Sequence, residues 1–295
     1  MYLVTGATGQ LGRRIVRHLT ERDCPARAFA RLQADYRKLE HWGANICIGD
    51  LRNRDDIRRA CRGARVIISA HGSGRNLDGA EALDYRANMH LVDAAQEFGI
   101  EHFVFISVLG SDRDYSDAPV FKAKAAVEKA LLASSLNYTI LRPSGFASNV
   151  LRLAQQFRPT GTYLLVGEGA HRTSIVSTDD LAKMAILAPD IEAAGRQIFE
   201  VGGPDVLRRD DIPQIFGRLF NREPFVVRVP LTGVDVARAL LGFVDTELSR
   251  SLGTLRTLLA HEFYCTPAET ARVREVFDLP LESLEHYLRR HLDLD

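Results

Sequence analysis

Thr5-Gly6-Ala7-Thr8-Gly9-Gln10-Leu11-Gly12 is the stretch on which the fold turns. It follows a short apolar run at residues 1–5 and precedes a segment, residues 11–21, whose apolar positions recur at helical spacing. The glycines are spaced GxxGxxG. A first glycine in such a bend permits a tight turn. A second has no Cβ to hold the backbone away from a ligand, and a third lets the following helix pack close to the strand. The main-chain amides near Gln10, Leu11 and Gly12 then sit at a helix N-terminus, where unpaired N–H groups and the helix dipole attract an anion. A glycine-rich turn without a ligand is the alternative, and the position between first strand and first helix argues against it. No Gly-Lys-Ser/Thr follows, which excludes the P-loop of a nucleoside triphosphatase.

Outward from this bend, apolar runs at residues 26–30, 45–48, 65–70, 103–107 and 138–142 alternate with helical spacing at 35–42, 53–60, 81–98 and 119–133. Alternation of this kind predicts an α/β fold, a doubly wound parallel sheet of Rossmann type covered by helices on both faces. Gly43 and Gly99 stand where left-handed caps would end helices, and Ser134-Ser135 occupy a third such position. Beyond residue 150 the alternation weakens. Residues 162–166, 174–176 and 197–201 are expected as short strands. Residues 179–187 are expected as a helix capped by Ser177 or Thr178, and 209–220 as one capped by Asp205 or a neighbour. Gly202-Gly203-Pro204 is a turn. Residues 234–261 have helical spacing interrupted at Gly242 and Gly253, and 269–292 form one or two closing helices. The expected division is a dinucleotide-binding domain over residues 1–150 and a smaller α+β substrate or partner region over 151–295, with 174–201 returning to the first sheet.

The chain has 295 residues, 46% of them apolar and 26% charged, with 38 basic and 38 acidic side chains. These values exclude disorder and a disulfide miniprotein. The cancelled charge argues against nucleic acid as a partner. No apolar run is long enough to cross a bilayer. The first residues lack a basic segment followed by a long apolar one, so a cytoplasmic protein is expected. Cys24, Cys47, Cys61 and Cys265 are widely spaced, which predicts reduced thiols and no metal site.

At the end of the second strand stands Arg31, where an enzyme using NAD carries an acid for the adenosine 2′-hydroxyl. Arginine there suits a 2′-phosphate, so NADP(H) is preferred over NAD(H), with Arg13 and Lys38 as possible helpers. Otherwise Arg31 is a solvated strand-end residue. Asp50, with Leu51 beside it, ends the third strand and is placed to accept from an adenine amino group; the alternative is an aspartate capping the helix at Asn53. Ala70-His71-Gly72 follows the fourth strand and should pass the cofactor ribose. His71 is a candidate base or a backbone-bonded loop residue.

Taken in order, the glycine turn, Arg27-Ala28-Phe29-Ala30-Arg31, Gly49-Asp50-Leu51, Asn88 with Asp93-Ala94-Ala95, Phe103-Val104-Phe105-Ile106-Ser107, Tyr138-Thr139-Ile140-Leu141-Arg142-Pro143, Ser177-Thr178-Asp179-Asp180-Leu181-Ala182 and Phe199-Glu200-Val201-Gly202-Gly203-Pro204 resemble the short-chain dehydrogenase/reductase superfamily. Within it the chain is similar to the atypical NmrA-like group over nearly its whole length. The resemblance implies a nicotinamide dinucleotide lying across the sheet and a Tyr-x-x-x-Lys pair for proton transfer. Lys124 occupies the lysine position, but Val120 stands where the tyrosine would be, and Tyr115 is nine residues before the lysine. Three of the chain's five lysines (Lys122, Lys124 and Lys129, beside Lys38 and Lys183) share this one helix. In an arginine-rich chain this suggests that an ammonium was required at Lys124, for ribose contact or catalysis. Lys122 and Lys129 suit a solvated face. The resemblance also places the turn Pro143-Ser144-Gly145-Phe146 beside the nicotinamide, with Phe146 and Asn149 facing a substrate; a core phenylalanine is the alternative.

Three functions follow. One is hydride transfer to a small carbonyl, quinone or activated alkene without the usual tyrosine. The second, which the resemblance suggests, is a non-catalytic redox sensor or assembly factor with a regulatory protein partner. The third, a nucleotide-sugar epimerase or dehydratase, normally needs the missing tyrosine. Helices 81–98 and 119–133 are candidates for a homodimer surface.

Overall fold

The computed structural model describes residues 1–73, 79–115, 117–242 and 246–294; of 237–242 and 246–251 only the backbone is described. The first half alternates β1 (Tyr2–Thr5), α1 (Gln10–Glu21), β2 (Ala26–Ala30), α2 (Arg37–His41), β3 (Asn45–Ile48), α3 (Arg54–Cys61) and β4 (Val66–Ser69). A π-helical segment, Ala80–Ala87, runs directly into α4 (Asn88–Glu97), followed by β5 (His102–Ile106), α5 (Pro119–Ala133), β6 (Tyr138–Pro143) and α6 (Ala147–Thr160). The second half contains β7 (Thr162–Val166), β8 (Arg172–Thr173), α7 (Thr178–Leu187), β9 (Gln197–Val201), β10 (Leu207–Arg208), α8 (Asp211–Phe220) and β11 (Phe225–Val229). Four helices close the chain: α9 (Leu231–Gly242), α10 (Thr246–Ala260), α11 (Pro267–Phe277) and α12 (Leu284–His291).

The central sheet has seven strands in the order β3-β2-β1-β4-β5-β6-β9, all parallel. Strand order reverses between β1 and β4. In an open parallel sheet that is where the crossovers diverge to opposite faces and leave a crevice at the carboxyl ends. The period of two is visible in β1. Tyr2 and Val4 join a core with Ile15 and Leu19 of α1 and with Leu181 and Ala185 of α7. Leu3 joins the opposite core with Ile57 of α3, Leu91 of α4 and Val127 of α5. A third core, including Phe157, Phe216, Tyr287 and Leu288, holds α6, α8 and α12 together.

Gly43 and Gly99 have φ of +90° and +64° and end α2 and α4, and Ser177 caps α7 through Asp180 N. Several local expectations are corrected. Ser134 is extended, φ −82° and ψ 164°, and not left-handed. Residues 174–176 form no ladder. The short strand falls at Arg172–Thr173, paired with β10, and Val176 makes a single bridge to Phe146. The reason is that Ser174 spends its carbonyl on the Ser144 hydroxyl and on Gly203 N, so the segment threads between loops. Gly202 and Gly203 are required by that approach, since a Cβ on Gly203 would lie 2.2 Å from Ile175 O. Helix α8 starts only at Asp211, with Asp210 at its N-cap and no side-chain cap, because Leu207–Arg208 are still in the β8–β10 ladder. Gly253 lies inside α10 without interrupting it. Residues 81–98 are not one α-helix, since their first half is π-helical. Helix α10 packs on α5, one of the two helices read as a dimer surface.

Candidate active site

The bend between β1 and α1 is held by its glycines. Gly6 has φ +68°, and a Cβ there would lie 2.6 Å from Ala70 O. A Cβ on Gly12 would lie 2.1 Å from Gly6 O, so this glycine lets α1 lie against the backbone that leaves β1. Gly9 N donates to Gly6 O at 2.9 Å, which closes the turn. Gly9 is the N-cap of α1, no side chain caps the helix, and its first turn carries no acidic residue. The first amides of a helix have no intrahelical acceptor. The helix therefore presents unfilled donors beside backbone that no side chain can crowd.

A cavity of about 740 Å³ opens over this bend at the carboxyl ends of β1, β2 and β4. Gly6, Thr8 and Gly9 line it with Arg31, Asp50 and Leu51, and the segment after β4 adds Ala70, His71 and Gly72. Its remaining walls include Arg52, Ala82 and Leu83, which the sequence alone did not suggest. Gln10, Leu11, Gly12, Lys124, Pro143, Phe146 and Asn149 do not line it.

Arg31 is exposed at the mouth. Asp50 accepts from Arg52 through both carboxylate oxygens, the shorter contact being 2.6 Å. Hydrogen bonds from Arg52, with Arg31 adding a weaker field, hold its carboxyl below the usual carboxylate range. Asp50 does not cap α3. Asn53 does, accepting from Asp55 N and Asp56 N, because it stands immediately before the first helical residue.

His71 is buried and fully engaged. Its Nε2 donates to Leu83 O at 3.0 Å, which leaves Nδ1 to accept from the Thr5 hydroxyl at 2.8 Å. Burial, with Lys124 nearby, pushes its pKa down to about 4. The imidazole is neutral and braces the loop.

Lys124 is 5% exposed. Its Nζ donates to Ile106 O at 2.9 Å and to His71 O at 3.4 Å, and lies 3.5 Å from Asp84 Oδ1. The ammonium also sits 4.7 Å from the centre of the Phe105 ring. Burial pushes its pKa down, opposed by Asp84 and then Glu128. One turn further along α5, Glu128 accepts from the hydroxyls of Ser107 and Ser111 and from Nε and Nη2 of Arg142. Arg142 extends the network to Asp112 and Glu200. Tyr115 packs its ring against Phe121, His261 and Phe263 in a separate apolar cluster. Phe146 is half-buried as the N-cap of α6, and exposed Asn149 accepts from Arg152 at 2.6 Å. Asp84 could not be singled out from sequence, because nothing in its neighbourhood signals a π-helix. All four cysteines are unbridged. Among the described residues there is no cluster able to hold a metal, and no helix is long and apolar enough to cross a membrane.

The donor set fits a dinucleotide diphosphate: an uncapped helix N-terminus, a glycine cradle that a Cβ would fill, and a cavity extending from it along the sheet edge. Comparison with known proteins agrees. The chain is 30% identical to the photosystem II assembly factor Ycf39 of Cyanophora paradoxa, over 98% of this chain and 91% of that protein. It is 25% identical to the NAD(P)H azoreductase of Xenophilus azovorans, over 99% of this chain and 98% of that enzyme. Its fold superposes with a TM-score of 0.79 on the NADPH-dependent quinone oxidoreductase QOR2 of Escherichia coli, solved with NADPH, at 17% identity and covering 99% of this chain and all of that one. Residues 6–188 match the model of an NAD(P)H-binding family, and the chain belongs to that NAD(P)H-binding family of Rossmann-type proteins.

Proposed function

We propose that this chain binds NADP(H) and belongs to the NmrA-like atypical short-chain dehydrogenases/reductases, acting as a redox-responsive assembly or regulatory factor whose occupied cavity is read by a protein partner. The observation that carries this reading is that the protic side chains expected to move a proton are consumed inside the protein. Val120 has no proton to give. Each of the three Lys124 donors has an acceptor. His71 uses both ring nitrogens, and Ser107 donates to Glu128. General acid catalysis needs a donor within reach of the reacting atom and free to release its proton. The full-length similarity to Ycf39 supports the protein-partner role.

In this reading the amides of Gln10, Leu11 and Gly12 hold the diphosphate, with Gly6, Thr8 and Gly9 lining its approach. Arg31 selects the 2′-phosphate. Asp50 and Leu51 take the adenine, and Ala70, His71 and Gly72 form the ribose wall, backed from beneath by Lys124. Pro143 and Phe146 shape the nicotinamide end, and Asn149 faces substrate or partner. The bound dinucleotide supplies hydride-transfer capacity. A second reading, hydride transfer to a small quinone, carbonyl or activated alkene with the proton drawn from water, is favoured by the full-length similarity to an azoreductase. The epimerase reading is disfavoured by Val120.

Calorimetric titration with NADPH and NADH, followed by NADPH oxidation against quinones, azo dyes and aldehydes, separates these. The expected result is binding of NADPH at least about tenfold tighter than NADH, with oxidation at background. Turnover with any acceptor would replace the sensor by the reductase. No heat with either nucleotide would remove both.

A further inference from the structure

We propose that Asp84 is a positioning residue for the dinucleotide cavity: with Lys124 it forms a buried latch that fixes the backbone of residues 71–73, of which His71 and Gly72 line that cavity. The proposal rests on the binding reading above. Asp84 is 1% exposed. Its Oδ2 accepts from Ser73 N at 3.0 Å, and its Oδ1 faces Lys124 Nζ at 3.5 Å. The same oxygen would lie 3.0 Å from a Cβ on Gly72, so the carboxylate rests against the loop backbone. Lys124 carries the connection onward to Ile106 O at the end of β5 and to His71 O. One ion pair thus joins four segments: the loop after β4, the π-helical segment, β5 and α5.

The π-helix gives the placement. Short π segments inside helices commonly mark functional positions. Asn88 Nδ2 donates to both Leu83 O and Asp84 O, and Asn88 Oδ1 accepts from the Ser69 hydroxyl at 2.6 Å, which anchors the segment to β4. Leu83 O also accepts from His71. The loop is therefore held from both ends, by His71 on Leu83 O and by Asp84 on Ser73 N. A well-packed apolar pair of similar volume is often as stable as a buried ion pair. Stability alone therefore does not require charge here, whereas a wall that must resist displacement by an incoming anionic ligand gains from two directional bonds to its backbone.

The groups facing Lys124 are Asp84 from the π segment, Glu128 from its own helix and His71 from the loop. Asp84→Asn keeps an acceptor for Ser73 N and removes the charge. The ammonium, left with less compensation in a buried site, then loses its proton at lower pH. NADPH affinity, measured by calorimetry from about pH 7 to about pH 9, where the 2′-phosphate is doubly ionised, is expected to stay nearly flat in the parent chain. In Asp84→Asn it is expected to weaken by about tenfold or more across that range as pH rises. The double variant Asp84→Leu/Lys124→Met keeps the pair neutral and packed. It is expected to lose only the modest stability of the backbone groups left without partners, a melting temperature lower by about 2–4 °C per kcal/mol, and yet to bind NADPH about tenfold more weakly at every pH. A double variant that binds within about twofold of the parent, or an Asp84→Asn profile as flat as the parent's, would overturn the latch. Absence of heat from the parent chain would instead overturn the binding reading on which it stands.

Discussion

The glycine bend before α1 and the polar face of α5 treat their polar groups in opposite ways. The bend leaves its donors unmatched: α1 has no side-chain cap, and Gly6, Gly9 and Gly12 keep side chains out of the space in front of it. The α5 face consumes everything it carries. Lys124 and Glu128 are 5% and 3% exposed, and every donor or acceptor described for them has a partner within the fold. A buried polar group without a partner is costly. An unfilled set of amides at a cavity therefore points to a ligand, and a filled set points to architecture. The two elements both looked like cofactor machinery in the sequence, and they differ in whether their polar groups are already paired within the fold.

The contrast can be broken most forcefully at Glu128. Glu128→Leu leaves Arg142 buried with only Asp112 and Glu200, and loss of one partner of a buried pair costs about 3–5 kcal/mol. Urea unfolding should register that loss, while the NADPH affinity of the folded fraction changes by less than about threefold. A large affinity loss with little destabilisation would make the α5 face a binding element after all.

Next is the pH response of His71. Its folded pKa lies near 4, below its ordinary 6.5. The unfolded chain therefore takes up the proton first as pH falls. The contribution is fully present above about pH 6.5 and is lost progressively down to about pH 4, at most about 3 kcal/mol. His71→Gln should flatten part of that slope, and His102, also buried with a pKa near 4, should supply another part, with further shares from His18, His261 and His291, which burial also lowers. An unchanged slope would show that His71 is not held neutral.

Gly12→Ala comes third. Its methyl would meet Gly6 O at 2.1 Å, so the turn must shift. Overpacking of this kind costs about 1–3 kcal/mol, seen as a lower melting temperature, and NADPH binding should fall by about 100-fold because the amides no longer converge. Retained affinity would separate the glycine from the grip.

The smallest effect on the fold is expected from Arg31→Asp. The residue is exposed, so stability should change by less than about 0.5 kcal/mol. The ratio of NADPH to NADH affinity should drop by about tenfold or more. An unchanged ratio would remove Arg31 from 2′-phosphate recognition.

The parallel sheet was legible because short buried strands alternate with amphipathic helices, and the strand runs at 26–30 and 45–48 match β2 and β3 residue for residue. Local chemistry was legible where one residue type has one use: Gly43 and Gly99 as left-handed caps, and Ser177 or Thr178 as an N-cap, of which the structure uses Ser177. It failed where a neighbour decided. Asp50 and Asn53 are both credible caps, and the helix start chose Asn53. Residues 174–176 have strand-like side chains, but Gly203 and Ser144 take the Ser174 carbonyl. The change from π to α helix at Asn88 has no signature in the residues that form it.

By itself the sequence determined the order of strands and helices in the first half and the presence of a glycine bend between the first strand and the first helix, because glycine spacing and apolar period are properties of adjacent residues. The fate of Lys124, His71 and Asp84 was decided only by tertiary structure. Whether a buried polar group is free to act depends on the donors and acceptors that distant segments bring to it. Here Ile106 O, Leu83 O and Ser73 N come from three different parts of the chain.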